Sequence, residues 1–219
     1  MKRNTLFISI TFLFYNSIFF SSCAQKDQTN NQNLIQHNQT MNLDTATFGA
    51  GCFWCVEAQL ALLDGVKSVK SGFEGGQLKN PTYNEVCTGS TGHAEVVEVV
   101  YNPSKISYDE LLAAFWQTHD PTQLNRQGND VGTQYRSVIF YHNNNQKELA
   151  EKYKKELNTS GAWDKPIATE ISPATTFYKA EDYHQNYFNE NGDQPYCQYV
   201  IQPKVEKFRN VFKTKLKTH

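Results

Sequence analysis

The stretch GAGCFWCVEA at Gly49–Ala58 decides the local fold, because its glycines separate a strand-like run from a helix-like run. The preceding residues, Thr45–Phe48, are small, β-branched or aromatic and predict the end of a β-strand. From Phe53 onward, apolar residues recur at helical spacing and predict a helix that reaches Leu63. Glycine supplies the turn conformations that other residues resist. We therefore expect Cys52 at the amino end of a helix.

The predicted position of Cys52 is typical of a reactive thiol. Free N–H groups at a helix amino terminus carry about half a positive charge, which stabilises an anion. A cysteine there should have a pKa below its usual value of about 8.5 and act as a nucleophile. The alternative is a buried, inert cysteine. Phe53 and Trp54 favour the first interpretation, since an exposed turn with two aromatic side chains indicates that something apolar binds there.

The composition predicts one domain of ordinary size with extensions. The chain has 219 residues, of which 39% are hydrophobic, enough for a core. Its formal net charge of −1 gives no overall electrostatic case for binding nucleic acid. The five cysteines are odd in number and lie in dissimilar surroundings, which argues against a disulfide framework. With no second C-x-x-C or histidine pair at ligand spacing, we expect no zinc site.

The first part of the chain predicts export. Residues 1–22 contain two basic residues, then an apolar run too short to span a membrane comfortably. This pattern is typical of a secretory signal, and the small residues before Cys23 make it resemble a bacterial lipoprotein signal, with Cys23 as the lipid anchor. An ordinary cleaved signal is the alternative. Residues 23–44 are rich in Asn, Gln and Thr and predict a disordered linker. We expect a periplasmic or cell-envelope protein, held to the membrane only by its lipid.

Further elements are predicted along the rest of the chain. Apolar residues on both faces of Ala94–Tyr101 predict a central, doubly covered strand. Ser107 and Glu110 form a capping box that opens a helix over Tyr108–Thr118, with Trp116 in the core. The other expected elements are a functional loop at 81–92, a polar functional loop at 119–134, a strand at 167–171 and an extended segment at 194–198.

Glu95 lies at the start of the predicted central strand, on the same face as Val97. A charged carboxylate is costly to bury. Either Glu95 is solvated at the strand end, or it is held for chemistry with a raised pKa.

Four motifs, in this order, resemble the A type of peptide methionine sulfoxide reductase. They are Gly51–Trp54, Pro81–Tyr83 with Val86–Cys87, Thr91–Glu95 and Gln127–Ser137, and the resemblance runs from about residue 45 to residue 209. It implies an α+β fold in a single catalytic domain, residues 45–216. That domain would have a central mixed β-sheet flanked by helices, two layers deep, with a core related to the ferredoxin-like fold. It also implies a monomer with no metal and no bound organic cofactor.

The resemblance implies a role for each residue in the motifs. Cys52, as a thiolate, would attack the sulfur of a methionine S-sulfoxide, in proteins or free, and Glu95 would protonate the oxygen. The other site residues would be Tyr83 and Tyr135 at the oxygen, Asp130 as an orienting group, and Phe53 and Trp54 on the substrate methyl. Oxidised proteins and peptides would be the partners, and methionine sulfoxide reductases are the enzymes that restore oxidised methionine.

A second cysteine would resolve the sulfenic acid formed on Cys52, and an external dithiol of the thioredoxin kind would reduce the resulting disulfide. The resemblance favours Cys197, which matches a known resolving position. Cys55 lies three residues after Cys52 on the same helical face and is the alternative, as is a relay through both. Cys87 is expected to be a buried packing thiol.

Two other functions compete with the reductase. A thioredoxin-like disulfide exchanger would use Cys52 and Cys55 as its C-x-x-C but would leave the loops around Tyr83, Glu95 and Asp130 unexplained. A non-catalytic surface lipoprotein would bind apolar or oxidised peptides through its aromatic turn. Turnover of a methionine sulfoxide peptide separates both from the reductase.

Overall fold

The computed structural model describes residues 42–218. The predicted signal peptide at 1–22, Cys23 and all of the predicted linker before residue 42 lie outside the described residues. The strands are β1 (Asp44–Ala50), β2 (Val66–Glu74), β3 (Ala94–Tyr101), β4 (Arg126–Gln127), β5 (Asp130–Val131), β6 (Ser137–Tyr141), β7 (Glu170–Pro173) and β8 (Tyr178–Lys179). The α-helices are α1 (Phe53–Leu60), α2 (Tyr83–Cys87), α3 (Tyr108–Thr118), α4 (Asn144–Thr159), α5 (Tyr187–Glu190) and α6 (Gln202–Val211).

Six of the strands form one sheet in the order β7-β6-β1-β3-β2-β8. All neighbours are antiparallel except β6 and β7, which are parallel. β4 and β5 form a separate antiparallel hairpin within the long loop after α3. The predicted mixed sheet flanked by helices is therefore confirmed.

The main core lies between one face of the sheet and the helices. β3 contributes Val97, Val99 and Tyr101 to it, while Ala94 and Val96 on the opposite face join a small second cluster covered by Ala174 and Phe177. Burial of both faces confirms the prediction of a central, doubly covered strand. The helices fill the main core with Val56, Leu60, Leu111, Leu112, Phe115, Ala150, Val205 and Phe208.

Local sequence signals locate two helices correctly. α3 begins at the predicted capping box, in which the Ser107 hydroxyl accepts from the Glu110 N–H and the Glu110 carboxylate accepts from the Ser107 N–H. Trp116 is buried, as predicted. α1 begins at Phe53 as predicted but ends at Leu60, three residues before the expected Leu63.

The segment after Pro81 is partly helical, which corrects the prediction of a loop. α2 begins at a second capping box, formed by Thr82 and Glu85. The sequence contains this signal, but the helix is too short to show an apolar period. Val86 of this helix is buried, whereas Cys87 is exposed. The prediction that Cys87 is a buried packing thiol is therefore wrong.

Two predictions in the carboxyl-terminal half are also corrected. The expected strand at 167–171 is displaced to β7, Glu170–Pro173, although Ile167 itself is buried. The segment expected to be extended at 194–198 is helical, since Cys197–Ile201 forms a π-helix that continues directly into α6. Cys197 and Ile201 are buried, like Val205 and Phe208 of α6, so the apolar spacing of α6 begins before Gln202.

Within residues 42–218, no helix combines the length and the apolar character that crossing a membrane requires.

Candidate active site

The turn between β1 and α1 holds Cys52 in a fixed position. Gly51 has a φ of +87°, and a Cβ on it would lie 2.6 Å from Cβ of Gln127. Both the backbone conformation and the close approach of the β4 hairpin therefore require glycine here. Cys52 follows as the N-cap of α1 and is 7% exposed.

The amino terminus of α1 binds Glu95 and not the Cys52 sulfur. The Phe53 N–H donates to Oε2 of Glu95 at 3.1 Å, whereas the Cys52 side chain makes no capping hydrogen bond. Burial, the neighbouring Cys55 and Glu95 together raise the pKa of Cys52 well above its usual value. The prediction of a lowered pKa at Cys52 is therefore wrong for the substrate-free protein, because the sulfur is buried; the helix N–H that was expected to stabilise its thiolate donates to Glu95.

Glu95 is held in the core at the start of β3. It is 1% exposed, and burial raises its pKa to about 8, with the Phe53 N–H acting in the opposite direction and Asp130 adding to the rise. Of the two alternatives for this residue, the structure thus shows the buried carboxyl with a raised pKa. At neutral pH such a group carries a proton and can donate it.

Cys55 lies one helical turn after Cys52 and interacts with it. The Cys52 side chain lowers the pKa of Cys55 to about 7, against the effect of burial, and Lys204 acts in the same direction. Nζ of Lys204, on α6, lies 3.7 Å from Sγ of Cys55. In the substrate-free site, the negative charge of the cysteine pair therefore resides mainly on Cys55.

Tyr83 and Tyr135 reach the site from opposite loops. Tyr83 begins α2 and stacks on Phe53 with ring centroids 6.3 Å apart. Tyr135 ends a short 3₁₀-helix, Thr133–Tyr135. Burial raises the pKa of both phenols, and the charge of Glu95 contributes in each case. Both hydroxyls therefore stay protonated and near Glu95, as donors to an oxygen bound there.

Asp130 is oriented by a residue that sequence reasoning missed. The Tyr196 hydroxyl donates to Oδ2 of Asp130 at 2.8 Å. The same hydroxyl lies close enough to Cys52 and Cys55 to lower the pKa of each. Tyr196 thus links the β4–β5 hairpin to the cysteine pair, a link that joins positions 66 residues apart and has no signal in local sequence.

The two aromatic residues of the turn are fixed by another aromatic segment. Trp54 stacks face to face on Tyr187, with centroids 3.7 Å apart, and its Nε1–H donates to Nδ1 of His184 at 3.1 Å. His184 also lies 5.2 Å from the Phe53 ring and 4.3 Å from that of Tyr83. The clustering of aromatic residues near 177–188 was visible in the sequence, but their contact with the turn was not.

Cys197 is fully buried in the π-helix. Burial raises the pKa of its thiol, and the charge of Cys55 adds to this rise. The charge of Cys55 thus reaches the Cys197 thiol, and Cys52, Cys55 and Cys197 all belong to the main core.

Among the residues that the structure describes, no group of three or more His, Cys, Asp or Glu side chains is arranged to hold a metal ion. The side chains that the site does contain are thiols, phenols and the carboxyl groups of Glu95 and Asp130, which suit proton transfer and sulfur chemistry.

Comparison with known proteins identifies a family that this chain matches over most of its length. The family profile described as peptide methionine sulfoxide reductase matches residues 44–216. The peptide methionine sulfoxide reductase MsrA of Natronomonas pharaonis is 55% identical over 172 residues, covering 78% of this chain and 97% of that protein. The protein of the same name from Nautilia profundicola is 55% identical over 173 residues, covering 79% and 98%.

Two solved structures are similar in fold. Reduced Mxr1 from Saccharomyces cerevisiae superposes with a TM-score of 0.64 at 36% identity, covering 71% of this chain and 90% of that one. Methionine sulfoxide reductase A of Corynebacterium diphtheriae superposes with a TM-score of 0.62 at 41% identity, covering 74% and 80%.

Proposed function

Because the chain belongs to the peptide methionine sulfoxide reductase family, and so reduces the S-sulfoxide of methionine with thiols, we propose that Cys52 and Glu95 carry its chemical step. The Cys52 thiolate attacks the sulfoxide sulfur while Glu95 gives its proton to the sulfoxide oxygen. The S–O bond of the substrate and the transient S–S bond then break as the oxygen passes to the Cys52 sulfur, which is oxidised to a sulfenic acid, while the substrate sulfur is reduced and leaves as methionine. The observation that carries this proposal is a buried Glu95 bonded to the backbone N–H next to Cys52.

Protonation of Glu95 also helps to form the nucleophile. A charged Glu95 is one of the groups that raise the pKa of Cys52. A protonated Glu95 no longer repels a thiolate beside it. The protonated acid that the reaction needs therefore also makes the Cys52 thiolate easier to form. The Tyr196 hydroxyl acts in the same direction, because it lowers the pKa of Cys52.

Substrate binding uses the aromatic residues of the site. Phe53 and Trp54 form an apolar surface for the methyl group, held in place by His184 and Tyr187. Tyr83 and Tyr135 donate to the sulfoxide oxygen, and Asp130 orients Tyr196. Methionine sulfoxide in a peptide and free methionine sulfoxide can make the same contacts, since these contacts involve only the methyl group and the sulfoxide at the end of the side chain.

Recycling proceeds by a relay through two cysteines. Cys55 condenses first with the sulfenic acid on Cys52, and Cys197 then exchanges with the Cys52–Cys55 disulfide. The proximity of Cys55 to both other cysteines supports this order. A direct attack by Cys197 on Cys52, which the resemblance favours, is the alternative. A dithiol of the thioredoxin kind then reduces the protein disulfide.

The experiment that tests the roles is single-turnover and steady-state assay of cysteine variants on a methionine sulfoxide peptide. Cys197→Ser should release one methionine per protein and form the Cys52–Cys55 disulfide, and it should recycle poorly with thioredoxin. Cys55→Ser should also release one methionine but accumulate sulfenic acid. If Cys55→Ser forms a disulfide at the normal rate, Cys197 attacks directly and the relay is wrong.

The amino-terminal residues support a proposal on location. The chain is an exported lipoprotein whose Cys23 carries the lipid, so that a monomeric catalytic domain is tethered to the cell envelope. Mass spectrometry of the mature protein should find a diacylated Cys23 at its amino terminus, and Cys23→Ser should release the protein from membranes. A mature chain that starts at another residue contradicts the lipid anchor at Cys23, and a dimer in sedimentation analysis contradicts the monomer.

A further inference from the structure

Lys204 makes an unusual contact for a lysine. Its Nζ lies 3.7 Å from Sγ of Cys55, a side chain that is only 2% exposed. Among the described residues, the ion pairs within 4.0 Å do not include Lys204. Lysine ammonium groups are strongly hydrated and normally remain at the surface or pair with carboxylates. A lysine directed at a buried sulfur therefore requires a reason.

We propose that Lys204 is a positioning residue that keeps Cys55 in the thiolate form and aims it at the sulfenic acid on Cys52. The proposal rests on the first step of the relay described above. Cys55, as S⁻, attacks the sulfur of Cys52–S–OH. A new S–S bond forms as the S–O bond breaks, so that the Cys55 sulfur is oxidised and the Cys52 sulfur is reduced. The departing hydroxide takes a proton from solvent and becomes water.

The charges around Cys55 make this assignment specific. The titratable groups that face it from the packed elements are Cys52, Lys204, Tyr196, Asp130, Glu95 and Cys197. Lys204 is the cation of this group. Asp130 and an ionised Glu95 both oppose a thiolate at Cys55. Removing the ammonium would leave burial and Asp130 opposed only by the Cys52 side chain and the Tyr196 hydroxyl, and the Cys52 thiol is no longer present once it has become a sulfenic acid.

A cavity next to Lys204 explains how its ammonium group stays protonated beside a buried sulfur. The cavity has a volume of about 190 Å³, and polar and basic side chains form its walls: Gln59, Gln117, Thr118, His119, Lys204 and Lys207. Water in such a space can solvate the outer hydrogens of the ammonium group while the inner one points to sulfur. Burial lowers the pKa of His119 to about 4, so this imidazole adds no further positive charge near neutral pH.

Lys207 provides a matched control, because it lines the same cavity on the same helix and makes no contact with a sulfur. Lys204→Met and Lys207→Met both keep most of the apolar stem and remove the charge. Lys204→Arg restores a cation and tests rescue. Each variant is reacted once with a methionine sulfoxide peptide, from about pH 6 to about pH 9, which spans the range of thiol ionisation.

Two rates separate the steps. Release of methionine follows the chemistry at Cys52, and loss of sulfenic acid, trapped by dimedone, follows the attack of Cys55. Lys204→Met should release methionine no more slowly than the unmodified protein. At pH 7 it should form the disulfide about fivefold to tenfold more slowly, and its pH profile should move up by about one unit, because the thiolate population falls accordingly. Lys204→Arg should restore most of the rate.

The outcomes distinguish this proposal from the relay itself. If Lys204→Met gives a disulfide-formation profile that superimposes on that of Lys207→Met, the role of Lys204 is wrong. If Cys55→Ser forms a disulfide at the normal rate, the relay fails first. A uniform loss in Lys204→Met at every pH, without a shift of the profile, indicates altered packing of α6 and also contradicts the proposal.

Discussion

The candidate site has two walls that are built in different ways. The sheet wall, Cys52, Phe53 and Glu95, lies where β1, α1 and β3 meet and is at most 7% exposed. The loop wall is half-buried, is carried by short helices, a hairpin and connecting segments, and consists of Tyr83, Asp130, Tyr135 and Tyr196. This difference shows that the reacting groups are placed by the core, while the binding and orienting groups are placed by less buried segments at its edge. Substitutions in the sheet wall should therefore have the larger effects.

The largest effect is expected for Cys52→Ser in the sheet wall. A serine hydroxyl is not ionised at neutral pH, so turnover of a methionine sulfoxide peptide should fall to background. The fold should be unaffected, as judged by the thermal unfolding midpoint. Appreciable methionine release by Cys52→Ser would show that another cysteine is the nucleophile.

Next in size is Glu95→Gln, which keeps the shape of the side chain but removes its proton. The chemical step should slow by about 10²–10⁴-fold, the usual effect of losing a positioned acid. Since the pKa of Glu95 is about 8, the carboxyl is protonated below that pH and ionised above it. Because the pKa of Cys52 also lies well above its usual value, the single-turnover rate of the unmodified protein should rise with pH to about pH 8 and then level off, as the loss of the Glu95 proton offsets the gain in thiolate. The rate of Glu95→Gln should continue to rise above about pH 8.

In that experiment, a near-normal single-turnover rate for Glu95→Gln at pH 7 removes Glu95 from the acid role. A matched control is Glu98→Gln, on the same strand but on the opposite face, whose kinetics should not change.

A smaller effect is expected in the loop wall for Tyr196→Phe, which removes the hydroxyl that donates to Asp130. A hydrogen bond to a charged group contributes about 1.5–3 kcal/mol, which corresponds to roughly a 10- to 150-fold loss in kcat/KM. Asp130→Ala should cause a similar loss, and the double variant should be little worse than either single one. Full additivity in this cycle contradicts a shared role for the two side chains.

The smallest effect should follow Tyr187→Leu, which removes the ring stacked on Trp54 at 3.7 Å. Aromatic pairs contribute about 0.5–1.5 kcal/mol beyond burial. KM for the sulfoxide should rise by roughly 2- to 10-fold with kcat nearly unchanged, because only the apolar surface for the methyl group is loosened. A fall in kcat with constant KM would instead place Tyr187 in the chemical step.

The same division explains what could be predicted from the sequence. The strand–glycine–helix turn, the central strand with Glu95 and the capping box of α3 all follow from patterns within about ten residues. Phe53 and Glu95 could be placed on these elements. Their hydrogen bond, which acts on the pKa of Glu95, could not be predicted, because it links residues 42 positions apart.

The loop wall needed the family resemblance. Tyr83, Asp130 and Tyr135 carry no periodic or compositional signal, so only the matching motifs indicated them. Tyr196, His184 and Lys204 were missed because each acts through a contact that the chain makes only after the last helices pack on α1. The amino-terminal lipid anchor at Cys23 stays a prediction.

The most direct measurement asks which sulfur takes the oxygen, because the negative charge of the free site lies mainly on Cys55 and not on Cys52. The double variant Cys55→Ser, Cys197→Ser is reacted once with a methionine S-sulfoxide peptide in dimedone, and the adduct is located by mass spectrometry. The account predicts one methionine released per protein and one adduct, on Cys52. Methionine release without an adduct on Cys52, or no release until Cys55 is restored, would contradict it.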